Sequence, residues 1–145
     1  MPACGAEGAA GLPVPPPMDT AAIVRPGSPN TALAAPAGFN PAPDIVTPVY
    51  AVPPQRLYAA IRAVALAQPR TYPAANFDDR FQAHYVVRSA TLNFPDLVTV
   101  WVSGKDPGQS TLLMYSRSVY GRSDFGANRK RIEAWMAALN QAIER

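Results

Sequence analysis

The part of the chain densest in groups able to do chemistry is residues 116–131, Ser-Arg-Ser-Val-Tyr-Gly-Arg-Ser-Asp-Phe-Gly-Ala-Asn-Arg-Lys-Arg. It lies where an alternating pattern gives way to a helical one, so it should join a strand to a helix. A helix start presents unbonded amide hydrogens and a partial positive charge. Arg117 and Arg122 would add bidentate donors beside it. With Ser123, Asp124, Asn128 and Arg131, and with Arg88 from an earlier strand, they form a candidate site for a phosphate, a sulfate, a carboxylate or a protein partner. A structural account competes. In it Asp124 caps the helix and pairs with Arg122 or Arg88, Asn128 bonds the turn backbone, and Arg129, Lys130 and Arg131 make a solvated face. The spacing is neither that of a phosphate-binding loop nor that of a dinucleotide fingerprint.

Other chemistries find less support. His84 is the only histidine, and it reads as a surface or hydrogen-bonded structural residue. Ser116 or Ser118 with His84 and an aspartate would spell a triad, but no nucleophile-elbow pattern accompanies them. The reading leans away from an enzyme, and no catalytic residue is assigned. One histidine and one cysteine give no metal site with ordinary spacing, and no cofactor is indicated. The adjacent Asp78 and Asp79 read as a turn pair, and Phe94-Pro95-Asp96 as a strand end. Arg129, Lys130 and Arg131 near Tyr115 and Tyr120 lack the basic and aromatic interleaving of a nucleic-acid surface, and Glu133 interrupts them.

The elements that must position these residues follow from periodicity. Residues 54–68 predict a helix opened by prolines at its start, with Leu57, Ile61, Val64 and Ala65 on one face. Residues 81–90 alternate, with Phe81, Ala83, Tyr85 and Val87 against Gln82, His84, Val86 and Arg88, and 91–94 would continue that strand. Residues 97–103 and 109–118 predict two more strands, and 70–74 a short one. The run 97–103 has little polar face and should be covered on both sides. A last helix starts near Ser123 or Asp124 and carries Ile132, Trp135, Met136, Leu139 and Ile143 on one stripe. The expected fold is α+β: a small antiparallel sheet of three to four strands, flanked by an N-terminal and a C-terminal helix.

Ahead of this lies a different kind of sequence. Residues 1–54 hold 13 of the 17 prolines and one basic residue, Arg25, against three acidic ones. They read as an extended or partly disordered arm, with polyproline II geometry at 13–17. Residues 31–36 have enough apolar content to lie against the domain as an ordered arm, and Ile45, Val46, Val49, Tyr50 and Val52 could anchor that arm or add an edge strand. Pro48 argues against a central one. Residues 55–145 then form the single domain, with 12 basic and seven acidic residues. That mild excess suits solubility, an acidic partner or lipid headgroups. No stretch has transmembrane length. Cys4, the only cysteine, rules out an internal disulfide. With a start upstream of Met1 it would be the candidate lipidation position, and otherwise a free thiol.

The residues of the strand-to-helix segment carry a resemblance. Arg88-Ser89, Phe94-Pro95-Asp96, and Ser116-Arg117-Ser118 through Gly121, Ser123-Asp124, Gly126, Asn128 and Arg131 resemble the bacterial and plastid family of domain of unknown function 1499 (DUF1499), over roughly residues 50–143. Ser28-Pro29-Asn30 is similar to a lead segment of relatives. The resemblance implies a small protein of the cell envelope or an organelle, often with a leader, lipid anchor or spanning segment, and no established activity. The chain as written lacks a hydrophobic leader. The expectation is a noncatalytic binding or accessory protein of the periplasm or membrane-associated envelope, cytoplasmic if the chain is complete. It would dock on a larger membrane protein complex through the arm and the basic motif, with membrane contact if lipidated. The alternative is a small anionic-ligand binder or enzyme, with a pocket near the last helix start and a cavity lined by Arg88, Arg117 or Tyr115.

Overall fold

The computed structural model describes residues 7–13, 15–19, 23–27, 29–120 and 124–144. Among them are six strands and two α-helices: β1 (Thr31–Ala35), β2 (Ile45–Val46), α1 (Pro54–Leu66), β3 (Thr71–Phe77), β4 (Gln82–Arg88), β5 (Pro95–Gly104), β6 (Ser110–Ser118) and α2 (Ala127–Ile143). The strands form one sheet in the order β2-β1-β6-β5-β4-β3. All neighbours are antiparallel except β1 and β2, which are parallel. The fold is therefore α+β, as expected. The sheet is larger than expected and mixed, because the proline-rich lead supplies two strands.

β1 escaped the periodicity search for a physical reason. Thr31-Ala32-Leu33-Ala34-Ala35 is buried on both faces, so no polar residue marks alternation. Ala32 and Ala34 join the core on the helix side, while Leu33 and Ala35 join a second cluster on the opposite side. Asp44 fixes this strand: its carboxylate accepts from the Leu33 amide at 2.9 Å and pairs with Arg25 at 2.7 Å.

The two helices cover one face of the sheet. Leu57, Ile61, Val64 and Ala65 of α1, and Ile132, Trp135, Met136 and Leu139 of α2, meet Ala83, Tyr85, Val98, Val100, Val102, Leu112 and Met114 in one core. α2 starts at Ala127, later than the sequence suggested. Gly126 sits at its N-cap with φ 82°, a left-handed value that favours glycine. Residues 91–94 do not extend β4. They form a turn in which Asn93 has φ 55° and the Phe94 amide donates to Ser89 Oγ at 2.9 Å.

The opposite face is not open to water. Ile23, Leu33, Ala35, Leu113 and Tyr115 cluster there, with Met18, Phe39 and Trp101 packed against them. All of β4 is buried, including Gln82, His84 and Arg88. Most of their side-chain partners come from the lead, which forms a second layer over this face.

Candidate functional site

Side chains alternate across β6, so the residues that the sequence grouped into one motif divide between two faces. Ser116 and Ser118 face α2, and Arg117 faces the lead. On the helix side, Asp124 caps α2, accepting from the Gly126 amide at 2.8 Å and the Asn128 amide at 3.2 Å. Asn128 is fully buried. Its Nδ2 has three acceptors in reach: Asp124 Oδ2 at 2.7 Å, and Asn30 O and Ser118 Oγ at 3.0 Å. Its Oδ1 accepts from Ser116 Oγ at 2.6 Å and Arg131 Nη1 at 2.9 Å. Arg131 then reaches Asp96 at 2.9 Å. The network ties α2 to β5, β6 and the residue before β1.

Sequence reasoning placed Asp124, Asn128 and Arg131 together and missed Asp96, which it read as part of a strand end. Burial pushes the Asp96 carboxyl above the usual carboxylate range, against the pull of Arg131 and Ser118, and Asp124 adds a smaller push upward. Arg122, Ser123 and Cys4 lie outside the described residues. The suggested pairing of Asp124 with Arg88 does not occur, because Arg88 is on the other face of the sheet. Only 2% exposed, it donates to the carbonyls of Gly8 at 2.8 Å, Asn93 at 3.0 Å and Ala10 at 3.2 Å.

A helix start with its amides already capped and its arginine already paired has little left to offer an anion. The adjoining hollow of about 330 Å³ is lined by Arg25, Asp44, Asp124 and Arg129. Its cations are engaged, Arg25 with Asp44 at 2.7 Å and Arg129 with Glu133 at 3.0 Å.

The lead-covered face differs. Register sets Arg117 between Leu97 and Thr31, and Thr99 between His84 and Tyr115. Above these rows, residues 15–19 run across the sheet as a strap. Gln82 holds both backbone groups of Met18, accepting from its amide and donating to its carbonyl at 2.9 Å. His84 Nε2 lies 2.9 Å from Pro16 O, and Nδ1 lies 2.8 Å from Thr99 Oγ1. A carbonyl only accepts, so Nε2 carries the hydrogen and Nδ1 accepts from Thr99. Burial lowers the His84 pKa, with Arg117 adding to the effect and the Pro16 bond opposing it.

Between strap and sheet is a cavity of about 440 Å³. His84, Leu97, Thr99, Tyr115 and Arg117 form its floor; Pro15–Pro17, Met18, Ile23 and Val24 line its other side. Arg117 is partly buried and has no ion pair among the described residues. Among the described motif residues it is a cation that lines a cavity without an ion pair, and Asp19 lines the same cavity. No group of metal-ligating side chains occurs among the described residues, and no helix there is long and apolar enough to cross a membrane.

Comparison with known proteins adds a family. The model of the family described as "Protein of unknown function (DUF1499)" matches residues 23–139. The match starts ahead of β1, so it takes in the strands contributed by the lead. No curated protein matches the chain. Among solved structures, the chain is similar to that reported as Ara h 8.0201, at 12% identity and TM-score 0.49, over 68% of this chain and 92% of that one. It is also similar to protein MLL2253 from Mesorhizobium loti, at 16% identity and TM-score 0.48, over 69% of this chain and 98% of that one.

Proposed function

We propose, since the chain belongs to the DUF1499 family of proteins of unknown function, that it is a noncatalytic binding protein whose ligand is a small anion-bearing molecule seated between the strap and the sheet. The observation that carries this reading is Arg117, a cation without an ion pair among the described residues, on the floor of a cavity of about 440 Å³. That volume lies within the range of small-molecule sites, roughly 300–1,000 Å³. Thr99 and Tyr115 line the same space, with the Thr99 hydroxyl already donating to His84. The noncatalytic part rests on His84. Its Nε2 is committed to the Pro16 carbonyl and its Nδ1 to Thr99, which leaves no free base beside a nucleophile.

The test is titration with 8-anilinonaphthalene-1-sulfonate, a small fluorescent anion. Saturable binding by the folded chain is expected, weakened about tenfold or more in Arg117→Gln by loss of a charged hydrogen bond. Equal affinity in the two proteins would count against the site.

A second reading keeps the docking function on an envelope complex. It is favoured by an apolar patch beside the start of α2, where Phe125 is 92% and Leu92 58% exposed. Phe125 holds φ 52°, a costly conformation for a bulky residue. Against the arm as the docking element stands its use on its own sheet, where residues 8, 10, 16 and 18 bond β4 side chains.

A further inference from the structure

The cavity beneath the strap has two chemically distinct ends. At one end Arg117 lies beside Asn30, Thr31 and Ser118, all on the lining. Two residues back along β6, about 7 Å at the usual strand rise, Tyr115 joins the apolar cluster of Ile23 and Leu33, against which Met18 packs. Leu97 is the register partner of Arg117 on β5, so an apolar side chain adjoins the cation directly. The strap contributes Pro15, Pro16 and Pro17, which have no amide hydrogen to offer a polar ligand. A bare small anion would satisfy Arg117 and leave these walls wet. A neutral hydrocarbon would cover the walls and further bury a guanidinium that has no ion pair among the described residues, which is costly. Asp19, also on the lining, has contacts of its own and disfavours a second negative charge.

We infer that the ligand is a free single-chain amphiphile, with one anionic head at Arg117 and an apolar body lying over Leu97 and Tyr115 towards Met18 and Ile23. The inference deepens the proposed function and rests on it. It commits to a ligand taken from solution because the strap overlies the sheet residues of the floor, so the site is a recess and not a flat face for a bilayer.

The experiment uses the full chain labelled with nitrogen-15. Amide spectra are recorded during titration with acetate, decanoate, decanol and phosphatidylglycerol vesicles. Decanoate is expected to bind at least about tenfold more tightly than acetate, since each buried methylene adds to affinity. Its shifts should fall at Leu97, Tyr115, Arg117 and Met18. Arg117→Gln should weaken decanoate about tenfold and leave decanol unaffected. Leu97→Ser, kept as a second variant in case the first misfolds, should weaken decanoate and not acetate.

Acetate binding as tightly as decanoate would overturn the amphiphile and leave the small-anion reading standing. Decanol matching decanoate, with Arg117→Gln indifferent, would overturn the anionic head. Vesicle binding with no response to decanoate would overturn the inference in favour of a membrane surface. No response to any of the four would overturn both readings.

Discussion

Pro16 and His84 are 68 residues apart in the chain, yet the Pro16 carbonyl sits 2.9 Å from His84 Nε2. The contact helps make the proline-rich lead a layer of the fold and puts one titratable ring among its attachments, beside the bonds of Gln82 and Arg88. His84 touches Thr99 from β5, lies edge-on to Phe77 of β3 with ring centres 5.5 Å apart, and feels the charge of Arg117 from β6. Burial lowers its pKa in the folded protein. The neutral ring is thus favoured when the strap is closed. That stabilisation is present above the ordinary histidine value of about 6.5 and is lost as pH falls below it. The protection of the Met18 amide, whose hydrogen is held by Gln82, measured against the exchange of an unstructured amide at the same pH, should fall between about pH 7 and pH 5, in the range where histidine titrates. His84→Gln should flatten this dependence, and an unchanged slope in that variant would remove His84 as its cause.

Asp124 and Asn128 separate a cap from a network. Loss of the Asp124 carboxylate removes a cap, so Asp124→Ala should cost about 1–2 kcal/mol of unfolding free energy. Asn128→Ala should cost more, about 2–4 kcal/mol, because it removes a buried side chain that bonds Ser116, Ser118, Asp124 and Arg131 at once. Urea unfolding of both variants checks the order. A smaller loss for Asn128→Ala than for Asp124→Ala would mean that the network contributes little beyond capping.

The Asp96–Arg131 pair is mostly shielded, with side-chain exposures of 15% and 14%. Removing either partner strands the other, and each single alanine variant should lose about 3 kcal/mol. The double variant should lose clearly less than the sum, which a double-mutant cycle would measure. Strict additivity would show that the two residues act independently.

Leu33 tests whether the lead belongs to the folded unit. It is fully buried in β1. Leu33→Ala should therefore cost about 2–5 kcal/mol, the range of a core truncation. A loss within about 0.5 kcal/mol, as at a surface position, would mean β1 is a dispensable edge.

What could be read in advance, and what could not, follows from how burial is signalled. α1, α2 and the three strands β4, β5 and β6 announced themselves because one apolar face alternates with something else. Val98, Val100 and Val102, and likewise Ile132, Trp135 and Leu139, lie in the core where their spacing put them. β1 gave no such contrast, since alanines face both layers. Gln82, His84 and Arg88 looked like an ordinary polar face. They are buried because backbone carbonyls of the lead, freed by its proline content, supply their acceptors. The motif was legible as a cluster in sequence. Its division between two faces was legible only once the alternation of Ser116, Arg117 and Ser118 was applied strictly. Asp96 escaped because its partner, Arg131, is distant in sequence and looked solvated.

The seat of the ligand is open to direct observation. In the complex of the intact chain with 8-anilinonaphthalene-1-sulfonate, nuclear Overhauser contacts from the probe's rings should reach the Leu97 and Ile23 methyls and the Tyr115 ring. Contacts confined to Leu92 and Phe125, or to the helix-side core at Leu57 and Leu139, would contradict a site beneath the strap.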